Sequence, residues 1–126
     1  MINESALADR LGHRPTRILR ALADHERALW ITLIVGVLAD IVLTYVGVSY
    51  LGAVERNPLA LSMFAEVGII ATGVILKGWL LVAFGFARTF VPRLLFGYAL
   101  AVASALHAVI CINNAIVILV LASQAM

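Results

Sequence analysis

Long hydrophobic runs divide the chain into a polar flank and three candidate membrane spans, at about residues 29–51, 68–87 and 94–122. The first two runs are close to the roughly 20 apolar residues that a helix needs to cross a bilayer. The third is long for one crossing and is expected to tilt or project. Residues 1–28 contain most of the charged side chains and form the flank. The pattern predicts an all-α membrane protein in which residues 29–126 form a small bundle of three transmembrane helices.

The flank itself has a helical period, because Ile18, Leu19 and Leu22 fall on one face and charged residues occupy much of the rest. A basic amphipathic helix beside a span commonly lies on the membrane surface. We expect a cytoplasmic amphipathic helix that anchors the chain at the interface, or alternatively docks a partner or anionic lipid.

The first span has one face of small and polar residues, which are Thr32, Gly36, Asp40, Thr44 and Gly47. The other faces are Leu, Ile and Val. Lipid favours the apolar surface, whereas close helix packing favours the small residues. Asp40 stands near the middle of the span and is therefore predicted to point inward, since an ionisable group at that depth needs a partner.

The connection after the first span predicts a helix start. Asn57 suits the N-cap and Pro58 suits the first helical position, where its missing N–H costs nothing. Glu55 precedes this start, where the helix dipole favours an anion. The helix either continues from Pro58 to about Thr89 or breaks at Gly68.

Each span has one titratable residue near its middle: Asp40, Lys77 and His107. Two opposite charges at one depth are expected to pair, because leaving either alone costs more than burying both. We therefore predict an intramembrane cluster of the three. Thr44, Asn113 and Asn114 lie toward the outer half, and with Asn57 they would continue a polar path to Glu55.

Composition supports a membrane location. The 126 residues are 63% hydrophobic and only 13% charged, well below the quarter that is usual in globular proteins. Lysine and arginine are concentrated in the flank and in the second connection, with only Arg56 in the first connection. This asymmetry predicts a multi-pass protein of the cell membrane with its N-terminus inside and its C-terminus outside. A net charge of only +2 gives no indication of nucleic-acid binding.

Three functional interpretations remain open. Asp40 and Lys77 could be a structural ion pair, with His107 a hydrogen-bond donor, in an accessory or scaffold subunit of a larger membrane complex. The three residues could instead form the ion or proton relay of an oligomeric transport or channel component, which is the function we predict. His107 and Cys111 could contribute to a metal or haem site, although the sequence identifies no specific cofactor. An enzyme is disfavoured, because the chain has no nucleophile motif, phosphate loop or nucleotide fingerprint.

One further pattern combines Asp-x3-Thr at Asp40 and Thr44, Glu-x-Asn-Pro at Glu55 to Pro58, Lys77, and Asn113-Asn114. Over about residues 29–122 the chain resembles a family of small integral membrane proteins of archaea and bacteria that is defined only as a domain of unknown function. The resemblance implies about three spans and a role for these polar residues. It implies no activity.

Overall fold

The computed structural model describes residues 4–11 and 13–126, and all of their regular structure is helical. Six helices follow one another: α1 (Glu4–Leu11), α2 (His13–Asp24), α3 (Glu26–Tyr50), α4 (Pro58–Val67), α5 (Ile69–Ala87) and α6 (Arg93–Gln124). Helices α3, α5 and α6 are long and apolar enough to cross a membrane. The predicted all-α class with three candidate spans is therefore confirmed, with bounds a few residues from those expected.

Helix α3 is the centre of the bundle, because α5 and α6 both pack against it. Helix α4 packs on α5, and α2 packs on α6. The bundle is thus two helix pairs that share α3. The division into a flank and a transmembrane domain, and the inward orientation of the N-terminus, stay predictions.

The core lies at one end of the bundle, which we call the packed end. It is formed by Leu33 and Val37 of α3 and by Phe96 and Leu100 of α6, all 3% exposed or less. The Phe96 ring lies 6.1 Å from that of Trp30 and 6.2 Å from that of Phe84, measured between ring centroids. Interlocked aromatic and branched side chains fill most of the space between α3 and α6 at this end.

Helix α2 docks on α6 at Gly97. A Cβ on Gly97 would lie 2.8 Å from the backbone nitrogen of Ala23, so only glycine lets the two backbones come this close. Arg93 Nη2 then reaches Asp24 Oδ1 at 3.0 Å. The flank helix is therefore packed on protein through Ala23, and Ile18 of its predicted apolar face is 64% exposed.

The helix that follows the first connection is broken at Gly68, which settles the alternative left open by the sequence. Gly68 has φ of +84°, a left-handed value that favours glycine, and separates α4 from α5. As predicted, Asn57 is the N-cap of α4: its side chain accepts a hydrogen bond from the Leu59 backbone N–H at 3.1 Å. At the start of α5, Thr72 Oγ1 donates to the Gly68 carbonyl at 2.8 Å.

Candidate functional site

Asp40 and Lys77 form an ion pair between α3 and α5. Lys77 Nζ lies 2.9 Å from Asp40 Oδ2. One turn before Lys77, a Cβ on Gly73 would be 2.9 Å from Ile41 Cγ1, so the absence of a side chain allows α5 to approach α3 closely. This approach places the lysine within reach of the carboxylate. The structure thus brings together the two charges that their common depth in the sequence predicted to pair.

The second oxygen of Asp40 is bound by α6. Asn114 Nδ2 donates to Asp40 Oδ1 at 2.8 Å. The carboxylate therefore accepts one hydrogen bond from each of the two helices that pack on α3. Charge-assisted hydrogen bonds of this kind are about twice as strong as neutral ones. Asp40 consequently connects all three candidate spans.

A cavity of about 670 Å³ extends from this ion pair to the connection before α4. It runs between α3, α5 and the second half of α6, and it is partly open. Its polar lining residues are those predicted to continue the path outward, namely Thr44, Glu55, Asn57, Asn113 and Asn114, together with Arg56 and Thr72. Apolar side chains, among them Phe64 and Ile118, form much of the remaining wall.

Within the cavity the cations are more accessible than the anions. The Lys77 side chain is 28% exposed, whereas that of Asp40 is 9% exposed beneath it. Near the other end, Arg56 is exposed, and Glu55 Oε1 already accepts the backbone N–H of Asn57 at 2.7 Å. Beside the ion pair, a solute therefore meets the Lys77 ammonium more readily than the Asp40 carboxylate.

His107 is placed apart from the ion pair. It faces Gly36, whose Cβ position would be 3.1 Å from that of His107, one turn before Asp40. Its Nδ1 donates to the Ala103 carbonyl at 3.0 Å, while Nε2 is buried with no hydrogen-bond partner among the described residues. His107 neither bonds to Asp40 or Lys77 nor lines the cavity, so it does not join the predicted three-residue cluster. Asn114 is instead the third residue of the site, beside the ion pair.

Cys111 also lies at the contact between α6 and α3. Its Sγ donates to the Gly36 carbonyl at 3.2 Å. Over residues 4–11 and 13–126, no group of three or more His, Cys, Asp or Glu side chains is placed to hold a metal ion. The geometry therefore does not support the interpretation of His107 and Cys111 as ligands of a metal ion.

The sequence pattern does not predict the hydrogen bond from Asn114 to Asp40, although Asn114 lies on nearly the same helical face as His107. The missing information was the offset between α3 and α6. Ser104 Oγ contacts the Leu29 carbonyl at 3.1 Å, and with Gly36 opposite His107 this places Asn114 beside Asp40. No protein-family model, curated protein or solved structure matches the sequence.

Proposed function

We propose that the protein is a proton- or ion-linked transport component of the cell membrane, in which the cavity leads a solute to the Asp40–Lys77 pair. The observation that carries the proposal is the position of this pair in a partly polar cavity, at the end next to the apolar core. A purely structural ion pair needs no cavity, and packing around it would exclude water. Here the lysine is exposed to a space large enough for a small solute.

The packing at the packed end supports the proposal that a solute reaches Asp40 only from the cavity side. Leu33, Val37 and Phe96 fill the space between α3 and α6 on the other side of Asp40. A site that opens toward one side and is sealed toward the other has the geometry of one state of a carrier, whereas an open channel needs a continuous path. Transport would require the seal to open in a second conformation.

We also propose that the protein acts as an oligomer. In the described part of the chain, α5 and α6 pack on α3 without an extensive contact with each other. The cavity between them is therefore partly open, and Asn113 lines it as an exposed amide without a hydrogen-bond partner among the described residues. A polar group at that depth in lipid is costly, and a second subunit would enclose it. The resemblance to the family of unknown function stays a prediction.

Flux through liposomes tests the transport proposal. The purified protein is reconstituted with a pH-sensitive dye inside, and the vesicles are diluted in turn into inorganic cations, inorganic anions, organic ammonium ions and organic carboxylates. We expect solute-dependent proton movement with the unmodified protein, and its loss in Asp40→Asn. Gly78→Ala is the matched control, because a Cβ at Gly78 meets open space. Equal rates for the unmodified protein, Asp40→Asn and empty liposomes with every solute would refute transport.

A further inference from the structure

We infer that the cavity binds a small monocarboxylate at Lys77 and that one proton is taken up on Asp40 at the same time. The inference rests on the proposed function and names its solute class. Its starting point is the difference in exposure between the two charges, 28% for the Lys77 side chain and 9% for that of Asp40. The ammonium faces the cavity with two of its three N–H donors free of Asp40, whereas both carboxylate oxygens are already bonded.

The groups around Lys77 suit a hydrogen-bond acceptor. Asn113 of α6 lines the cavity with its amide free of partners among the described residues, and Thr44 of α3 also lines it. Arg56 is exposed near the other end, while Glu55 is engaged with the backbone of Asn57. Lys77 is the more exposed charge of the pair, so an organic cation beside it would be repelled, whereas a carboxylate would gain charge-assisted hydrogen bonds.

The charge balance of the site then requires a proton. Asp40 and Lys77 sum to zero, so a bound carboxylate alone would leave one uncompensated negative charge at membrane depth. When Lys77 transfers its hydrogen bond from Asp40 Oδ2 to the ligand, a proton that enters the cavity from the bulk solution can bind that oxygen. The site is neutral before and after: the carboxylate ligand balances Lys77, and Asp40 becomes an uncharged acid.

Among the described residues, no other group in hydrogen-bond contact with Asp40 can accept this proton. Helix α5 contributes Lys77, and α6 contributes Asn114. Cys111 is bonded to the Gly36 carbonyl, and His107 is bonded through Nδ1 to that of Ala103, while its unpartnered Nε2 has no hydrogen bond to Asp40. The ionisable residues of the connection, Glu55 and Arg56, line the part of the cavity next to α4, and the lining residues of α4 itself, Ala60 and Phe64, are uncharged.

The walls favour an organic anion over an inorganic one. Ile41, Leu76, Ile110 and Val117 line the cavity alongside the polar groups. Pockets with a few placed polar groups and apolar walls hold a ligand that has both kinds of surface. A short hydrocarbon chain would occupy the apolar part while its carboxylate meets Lys77.

Binding to the purified protein in detergent tests the inference without transport. Calorimetry compares butyrate with butylammonium and butyramide, which have similar size and different charge. We expect binding of butyrate only, and uptake of about one proton for each butyrate bound, followed with an indicator dye in weak buffer. Preference for butylammonium or butyramide would overturn the anion assignment, and butyrate binding without proton uptake would overturn the coupling.

Three substitutions separate the roles of the pair. Lys77→Met is expected to weaken butyrate binding by about tenfold or more, the usual consequence of losing a hydrogen bond to a charged group. Asp40→Asn mimics the protonated acid, and we expect it to bind butyrate without proton uptake. Lys77→Arg keeps the charge and should retain binding if Lys77→Met lost it for electrostatic reasons. Unchanged binding in a folded Lys77→Met would refute the site.

The carboxylate could come from water or from the bilayer. A second binding measurement, with laurate and the protein in lipid nanodiscs, distinguishes these sources. Binding of butyrate alone assigns a water-soluble acid, and Lys77-dependent binding of laurate alone assigns a fatty acid. Binding of neither refutes the inference. Butyrate binding without liposome flux would support this site and refute transport. Flux with a different solute and no butyrate binding would support transport and refute this site.

Discussion

The two ends of the bundle are built from the same helices and differ in what lies between them. At the packed end, α3 and α6 enclose Leu33, Phe96 and Leu100, each 1% exposed or less. At the other end, which we call the cavity end, the same two helices and α5 are separated by a space of about 670 Å³ that polar and apolar side chains line together. Only one helical turn of α3 separates Val37 of the core from Asp40 of the cavity.

The difference shows how a short chain can make a one-sided site. The packed end supplies rigidity and a seal, because close-packed apolar side chains leave no room for water. The cavity end supplies the polar groups, and the ion pair stands at the boundary between them. If this comparison is correct, substitutions at the two ends should differ in kind, and the following experiments are ordered by the size of the expected difference.

Water access should differ most. In a Cys111→Ser background, Thr44→Cys at the cavity end should react rapidly with a charged thiol reagent, because Thr44 lines the cavity. Val37→Cys, two turns away and 3% exposed, should stay unmodified. The measurement is the rate of labelling in mild detergent. Similar rates at the two positions would show that the core is not a seal or that the cavity is closed.

Loss of a core aromatic should cause the largest change in stability. Phe96→Ala is expected to lower the free energy of unfolding by about 3 to 5 kcal/mol, because a buried ring leaves a void that its neighbours fill only in part. Phe86→Ala is the matched control, because Phe86 is 69% exposed. Its loss should lower the free energy of unfolding by under about 1 kcal/mol, since lipid that takes the place of the ring is equally apolar. Unfolding in mixed micelles checks both, and equal losses would contradict the assigned core.

The ion pair should show strong coupling between its members. Lys77→Met alone is expected to cost about 3 kcal/mol, at the lower end for a buried pair because the lysine is open to the cavity. The double variant Asp40→Asn with Lys77→Met should recover most of that loss, since no charge is left alone. A double-mutant cycle gives the coupling energy directly. Additive losses would mean that the two charges do not depend on each other.

The smallest effect is expected where α2 docks. Gly97→Ala places a Cβ 2.8 Å from the Ala23 nitrogen, and overpacking of this kind costs about 1 to 3 kcal/mol. Gly78→Ala introduces the same atom into open space and should be neutral or stabilise by up to about 1 kcal/mol through helix propensity. Thermal unfolding compares the two, and limited proteolysis of α2 reports its release from α6. Equal stability of both variants would show that α2 does not depend on this contact.

Most of the architecture could be predicted from the sequence, because hydrophobic length alone marks a membrane-spanning helix. The pairing of Asp40 with Lys77 followed from their depth, and the N-cap at Asn57 followed from local chemistry. The break at Gly68 could not be decided, because glycine is tolerated both inside a membrane helix and at its end. The observed φ of +84° at Gly68 is a property of the folded chain.

The error at His107 has a specific physical origin. Helical periodicity gives the face of a residue on its own helix, but it gives no offset along a neighbouring helix. That offset is set by close contacts such as Gly36 with His107 and Ser104 with Leu29. A shift of two turns decides whether His107 or Asn114 lies beside Asp40. The docking of α2 was missed for the same reason, since Gly97 has no periodic signal that would identify Ala23 as its neighbour.

The bonding of Asp40 also has a consequence for biosynthesis. Its partner Asn114 follows 74 positions later in the chain, so the carboxylate enters the membrane before that partner is made. At synthesis rates of about 5 to 20 residues per second, α3 waits several seconds for its second bond. During that interval the long apolar run of α3, joined by Lys77 once α5 is made, offsets the unfavourable insertion of an aspartate. The apolar residues around Asp40 therefore serve the nascent chain as well as the finished bundle.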